Sequence, residues 1–392
     1  MAKLCFNAPC PRNFRPHPVS SWDLTPEGIL AKMLSFPLSI TGTITLIMRQ
    51  KTVRATIKEV ASVAGVSTQT VSRVINERPD VSPETRKKVK EVIKELNYHP
   101  STLARSLSQQ RSYTLGVVTF GLKYIGPSRT LNGIADKADE LGYMLLMKEL
   151  GDFNSNSIDD VTDSLLARQV DGILWVAPEI ENNHAWVDER IDDFPVPILF
   201  VAMEPRRGVT SVSTDNYHGA VMAIQHLLGC GRKKIGHISG PLGWWEASER
   251  KRGWQEALKA AGIGVSDQHC AEGNWSSASG EKAINQLLDS FPSMDAVFVA
   301  NDQMALSVLR EALRRGIQVP GQLAVVGFDN IAESAYFYPS LTTISQDLQL
   351  LGEQAVQNVV EMIQARQGNR SITTRARFVQ PTLIVRESSK FA

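Results

Sequence analysis

Cysteine is scarce in this chain: Cys5, Cys10, Cys230 and Cys270 are the whole complement of its 392 residues. None falls in a C-x-x-C spacing, so neither a zinc knuckle nor a disulfide framework is indicated, and a reducing cytoplasm is the expected compartment. Membrane-length apolar runs are also missing. The uncharged stretch from Met33 to Met48 has 16 residues, interrupted by Pro37, Gly42 and three threonines, against the ~18 that mark a span. No apolar core follows a basic N-terminus directly, so a secretory signal is not expected either. Catalytic signatures are lacking: there is no H-E-x-x-H, G-x-S-x-G or P-loop. Gly229-x-Gly231 with Gly236 precedes a strand, whereas the dinucleotide fingerprint follows one. No enzyme, metal or cofactor is expected.

Net charge is nearly absent too, at +1, but the average hides an asymmetry. From Lys51 to Arg111 there are 12 Lys/Arg and 6 Asp/Glu, and residues 1–50 carry 5 basic and 2 acidic groups. From Ser112 onward 25 basic groups face 33 acidic ones. A small basic head on a large acidic body means that only the head is suited to approach phosphate. With 43% hydrophobic and 21% charged residues, the rest is ordinary globular composition, enough for two or three domains. Residues 1–47 are rich in Pro, Phe and Ser and lack periodicity. Translation is expected to begin at Met48, so 1–50 is read as an extension, disordered or not translated.

What is present begins at Thr56. Thr56 with Glu59 three residues on forms a capping box, and Gly65 falls where the helix must stop and the chain reverse. Ser67 caps a second helix in which Val71, Val74 and Ile75 share a face. The other face carries Thr68, Gln69, Ser72 and Arg73, side chains that can reach base edges or phosphates. This is a helix-turn-helix, with Thr68 to Asn76 as recognition helix. Ser82 and Pro83 start a third helix. Its Val89, Val92, Ile93 and Leu96 face inward, and Lys87, Lys88, Lys90 and Lys94 form a solvated face. Asn97 and Pro100 end it. The segment Ser101 to Leu107 is too short to be a stable helix alone, as a hinge requires.

From Thr114 strands alternate with helices. Apolar runs at Leu115–Thr119, Met144–Met147, Gly172–Val176, Ile198–Val201, Ile235–Ser239, Ala296–Ala300 and Leu323–Val326 are each followed by a helical pattern. Such alternation predicts parallel sheets covered on both faces, an α/β body long enough for two similar lobes. Ligands bind at the carboxyl ends of such strands, where Asn301-Asp302 and Asp329-Asn330 stand.

These motifs together carry a resemblance. Val66-Ser67-x-x-Thr70-Val71-Ser72-Arg73-Val74-Ile75-Asn76, then Val81-Ser82, Asn97-Tyr98 and Pro100, resemble the lactose/galactose (LacI/GalR) repressor family. The body adds Gly273-Asn274-Trp275-Ser276, Val299 to Leu306 and Leu341-Thr342-Thr343-Ile344-x-Gln346-Asp347, most like its lactose repressors. About 335 residues are covered, all but the first fifty. The resemblance implies an all-α helix-turn-helix head at 51–100, a hinge helix at 101–112, and a two-lobed periplasmic-binding-protein-like body at 113–392. Lobe 1 takes about 113–214 and 346–375, lobe 2 about 215–345 and 376–392.

It further implies a DNA-binding regulator, expected to repress carbohydrate catabolism genes as a homodimer on a pseudo-palindromic double-stranded operator. Some members add a C-terminal leucine heptad that makes tetramers; this chain stops at Ala392, just past Val385-Arg386-Glu387-Ser388. The implied DNA contacts are Thr56, Ser67, Thr68, Gln69, Thr70, Ser72, Arg73 and Asn76, with Leu107 as a minor-groove wedge. The implied sites for a small sugar or glycoside effector are Phe120, Tyr124, Arg250, Trp275, Asn301, Asp329 and Gln346. Two departures stand out: Ala202 replaces a cleft aspartate of the lactose repressors, and Phe120 replaces a serine. Thr68 likewise replaces a tyrosine, so the operator should differ. A purine effector, a phosphocarrier partner, or a sugar-binding transport protein are the competing readings.

Overall fold

The computed structural model describes residues 55–99, 111–151, 155–180, 185–371 and 374–390. The extension, Leu107 and most of the expected hinge lie outside them. The chain divides into two compact units, Met1–His99 and Pro100–Ala392.

In the first unit, α1 (Ile57–Ala64), α2 (Thr68–Ile75) and α3 (Pro83–Glu95) are each started by the residue the sequence offers. Thr56 Oγ1 accepts from the Glu59 backbone N–H while the Glu59 carboxylate accepts from the Thr56 N–H, the full capping box. Gly65 closes α1 at φ 64°, a left-handed conformation that side chains with a Cβ rarely adopt. The helices enclose a small apolar centre: Val60, Ala61, Ala64, Val71, Val74, Val81, Val89 and Val92 are all buried.

In the second unit the alternating pattern forms two six-stranded sheets. The first is built from β1 (Thr114–Thr119), β2 (Met144–Glu149), β3 (Gly172–Val176), β4 (Ile198–Val201), β5 (Ser211–Thr214) and β11 (Ala376–Val379), in the order β11-β5-β4-β3-β1-β2. All of its pairings are parallel. The second contains β6 (Ile235–Ser239), β7 (Cys270–Glu272), β8 (Ala296–Val299), β9 (Ala324–Asp329), β10 (Thr342–Ser345) and β12 (Thr382–Ile384), in the order β12-β10-β9-β8-β6-β7. There β12 alone runs antiparallel. The strand Ala376–Val379 therefore belongs to the first lobe, a few residues beyond the boundary drawn from sequence at 375, because its backbone pairs with Ser211–Thr214.

Helices cover both faces of each sheet, as purely apolar parallel strands require. On the first, α4 (Ile125–Glu140) and α11 (Leu348–Gln367) pack on one side over Leu115, Val117 and Leu174. The other face buries Val118, Ile173 and Trp175 against Ile158, Trp186 and Phe194. On the second, α7 (Asn216–Gly229) and α8 (Trp245–Ala260) cover Phe298 and Val326. Opposite them, α9 (Ser277–Ser290) and α10 (Asp302–Arg314) cover Val297 and Val325.

The chain crosses between lobes three times, after β5, after β10 and after β11. The first two crossings end in helix caps: Asp215 accepts from the His218 N–H at 2.9 Å and Asp347 from the Leu350 N–H at 2.9 Å. Gln380 of the third donates to Asp215 at 3.4 Å. Among the described residues no helix is long and apolar enough to cross a membrane.

Candidate functional site

The exposed face of α2 carries the residues expected to touch DNA. Thr68, Gln69 and Arg73 are exposed. Two pairs of the others already have local work. Ser67 Oγ accepts from the Thr70 N–H at 3.0 Å and sits 2.9 Å from the Thr70 hydroxyl. Asn76 Nδ2 donates to Ser72 Oγ at 3.3 Å. Thr56 is likewise occupied by its capping box, so Ser67 and Thr56 hold helix starts whose free N–H groups suit a phosphate. Arg73 pairs with Asp80 at 3.4 Å, both about half exposed, an arrangement worth little in water. It leaves the guanidinium available for exchange onto a base or phosphate. Leu107 lies outside the described residues.

The second site is a cleft between the two lobes of the body, with about 830 Å³ of empty space including its mouth. Its floor is the N-terminal half of α8. Arg250 is buried, its Nε donating to Asn216 Oδ1 at 2.8 Å and its Nη1 to the Ala300 carbonyl. The guanidinium lies 3.7 Å over the Phe328 ring and 3.7 Å from the Asp329 carboxylate. Burial lowers the Arg250 pKa, against the pull of Asp329, Glu246 and Asp302. Asp329 stands at the end of β9 with φ 109° and accepts from Gln346 Nε2 at 2.7 Å. Burial raises its pKa, opposed by Arg250 and by the bond from Gln346.

Trp275 is buried with φ 72°, and its indole lies against Gly240, where a Cβ would meet the ring at 2.2 Å. Glycine at 240 is thus a condition of the indole's position. Asn301 fixes it further: Nδ2 donates to the Trp275 carbonyl at 2.9 Å while Oδ1 caps α10 at Met304 N–H, also 2.9 Å. Asn301 lines the cleft but is mostly a positioning residue. Asp302, the other polar residue of that turn, lies beneath the cleft. It is wholly buried and accepts from the Ile331 N–H at 2.9 Å and the Thr343 hydroxyl at 2.6 Å, holding the Asp329 loop. Burial and the nearby Asp329 push its pKa up to about 7. Asn330 is also structural, accepting from Arg386 at 2.8 Å and donating to Ser345 at 3.2 Å.

Of the seven expected effector contacts, the cleft brings together Tyr124, Arg250, Trp275, Asn301, Asp329 and Gln346. Phe120 is not among its lining residues. It lies just past the end of β1 and packs, partly buried, against the outer core that contains Val118. Ala202 does line the cleft, so the missing aspartate leaves an apolar wall there.

Sequence reading missed Trp244, Glu246 and Gln303, which also line it. Glu246 was findable, since it lies four residues before Arg250 and so shares its helix face. Its Oε2 is buried with no hydrogen-bond partner among the described residues, and burial pushes its pKa up to about 7. Trp244 closes the cleft from lobe 2 by an isolated antiparallel bridge to Ile180, beside a bond from the Trp245 N–H to the Glu179 carbonyl at 3.2 Å.

Comparison with known proteins gives two family matches: "Bacterial regulatory proteins, lacI family" over residues 56–101, and "Periplasmic binding protein-like domain" over 224–389. Catabolite control protein A of Priestia megaterium is 34% identical, covering 77% of this chain and 90% of its own. The lactose operon repressor of Escherichia coli (strain K12) is 33% identical over 79% and 85%. The HTH-type transcriptional repressor PurR of Mannheimia succiniciproducens is 32% identical over 86% and 99%. Among solved structures, the lac repressor dimer bound to operator and the anti-inducer ONPF has a TM-score of 0.77 at 31% identity, covering 86% of this chain and 99% of that one. A complex of the transcriptional regulator CelR with cellobiose has a TM-score of 0.64 at 30% identity over 86% and 100%.

Proposed function

Since the chain belongs to the lacI family of bacterial regulatory proteins, we propose that it represses transcription by gripping an operator as a dimer and releases it in response to a sugar. At the coarser level it is a DNA-binding transcriptional regulator of repressor fold with a ligand-binding body, and not an enzyme. What carries the finer reading is the buried Arg250–Asp329–Gln346 set beneath the Trp275 indole. Forked donors and acceptors match paired ring hydroxyls, and an indole packs on the apolar C–H face of a pyranose. The lac repressor neighbour holds an anti-inducer and the CelR neighbour cellobiose, ligands for which such a cleft is suited.

On the DNA side, Gln69 is suited to adenine and Arg73 to guanine in the major groove, and Leu107 to a kinked central step. A two-fold dimer then reads a pseudo-palindrome. Effector binding shifts how the two lobes meet across the Ile180–Trp244 bridge, and the paired hinges lose their joint hold. Only a difference in affinity between the two states drives such a shift. Carbohydrate catabolism genes are the natural targets of a sugar-released repressor.

The test is operator selection from a random DNA pool followed by titration of the full chain. Operator binding should fall steeply with added salt and should weaken when the right sugar is added. Arg73→Ala should lose about 1–3 kcal/mol per base contact removed. Unaltered affinity in that variant would remove Arg73 from the interface, and release by nucleobases but not by sugars would overturn the sugar reading.

A further inference from the structure

We propose that the effector is a two-ring saccharide, and that Trp244 and Glu246 form the subsite for its second ring. This rests on the sugar reading above and adds the size class of the ligand. The cleft holds two separate polar stations on one helix. Arg250, with Asp329 and Gln346, is the first, the set matched above to the paired hydroxyls of one ring. Glu246 is the second, one helical turn away, roughly 6 Å along the axis. That separation is close to the step between neighbouring rings of a disaccharide.

Glu246 has no ion pair among the described residues, although Arg250 lies near. The other carboxylate facing it, Glu179 from the first lobe, is held by the Glu204 N–H at 2.9 Å and by Arg206. A buried acceptor without a partner is costly in a folded protein unless something binds it. Its environment suits a neutral hydroxyl: burial favours the uncharged acid, which can accept or donate.

The aromatic wall repeats on the same scale. Trp275 and Trp244 meet edge to face with ring centroids 6.0 Å apart, and Trp244 and Tyr124 do so at 5.6 Å. Trp275 serves the Arg250 station, since the guanidinium lies 5.5 Å from its ring. Trp244, two residues before Glu246, and Tyr124 continue the aromatic lining of the cleft beyond Trp275. A second unpartnered buried donor, Trp275 Nε1, faces the same problem as Glu246, so a ligand with hydroxyls on both rings answers both. Tyr124 comes from lobe 1 and Trp244 from lobe 2, so a ligand filling the second subsite touches both lobes at the bridge that joins them.

The experiment is isothermal titration of the full chain with cellobiose, lactose, maltose and melibiose, each beside glucose and galactose. At least one disaccharide should bind about tenfold or more tighter than its component monosaccharides. Trp244→Ala and Glu246→Gln should each weaken that disaccharide about tenfold while leaving monosaccharide affinity within about twofold. Glu246→Gln keeps the side-chain shape, so it stands as the test where Trp244→Ala fails to fold; operator binding reports folding in both. A monosaccharide bound as tightly as any disaccharide, or variants that weaken one-ring and two-ring ligands equally, would overturn the second subsite while leaving the sugar reading intact. Binding of none of the panel would overturn both.

Discussion

Burial acts on Arg250 and Glu246, one turn apart on α8, with opposite consequences for charge. Arg250 is held as a cation by Asp329, by Asn216 and by the Phe328 face, at the expense of a lowered pKa. For Glu246 burial outweighs its own backbone N–H and the nearby Arg250, and its pKa rises from 4.5 to about 7. The folded state therefore binds a proton between those values that the unfolded chain has lost. Stability contributed by this group is fully present below pH 4.5 and is lost as pH rises toward 7, by about 1.4 kcal/mol per unit at most. Asp302 adds a slope of the same sign between 3.8 and about 7, whereas His237, buried and pushed down to about 3, gives the opposite slope below 6.5. Glu246→Gln isolates the first of these. Relative to the parent chain it should be stabilised more at pH 8 than at pH 4.5 in urea titrations. An equal difference at both pH values would mean that Glu246 is not desolvated in the folded protein.

At the scale of elements, what the sequence disclosed follows from how strongly each segment repeats a pattern. Three helices of the head were legible because caps and periodicity agree at Thr56, Ser67 and Ser82. The apolar strands were legible by their Val/Ile/Leu runs. Ser211–Thr214 and Thr342–Ser345 were not, since their hydroxyl-rich sequences offer no apolar run, yet both are almost wholly buried in their sheets. Their β-branched residues fit the pleat and their backbones are paired on both sides, which local polarity does not reveal. In the cleft, Asn301 and Asp329 were legible at strand ends, Arg250 and Trp275 came from the family resemblance, and Glu246 and Trp244 required knowing where α8 starts. Phe120, just past β1, packs against the outer core rather than lining the cleft.

Helix packing was invisible as well: α4 and α11 approach so closely that a Cβ on Gly133 would lie 2.1 Å from the Gln349 carbonyl oxygen, and one on Gly352 2.3 Å from that of Thr130. Backbone cannot yield as a side-chain tip can. Gly133→Ala should then cost about 1–3 kcal/mol by overpacking, read as a lower midpoint in thermal or urea unfolding of the body. A midpoint unchanged within error would show that the two helices can part without penalty.

The whole molecule presents a further regularity in where its apolar surface remains uncovered. In lobe 2, Leu306 and Leu313 lie seven residues apart on one face of α10, 42% and 69% exposed, and Tyr336 and Tyr338 of the same lobe are 88% and 86% exposed. In lobe 1, Met144 and Met147 of the edge strand β2 are 68% and 51% exposed. An edge strand with apolar side chains is a template for association unless something covers it, and large exposed apolar residues in both lobes mark an interaction surface. In the dimer proposed above, a second copy seated by two-fold symmetry would cover the same patches on both chains at once, as a pseudo-palindromic operator would require. Leu313→Asp combined with Tyr336→Asp should shift the chain toward monomer in sedimentation velocity at micromolar concentration. Operator affinity should fall with it, since each head then binds one half-site without the other. Met144→Lys tests the lobe 1 edge separately, and should weaken the dimer without altering sugar binding if that edge belongs to the same interface. A double variant that still sediments as a dimer would exclude the lobe 2 patch from the interface and leave its exposed tyrosines to another partner.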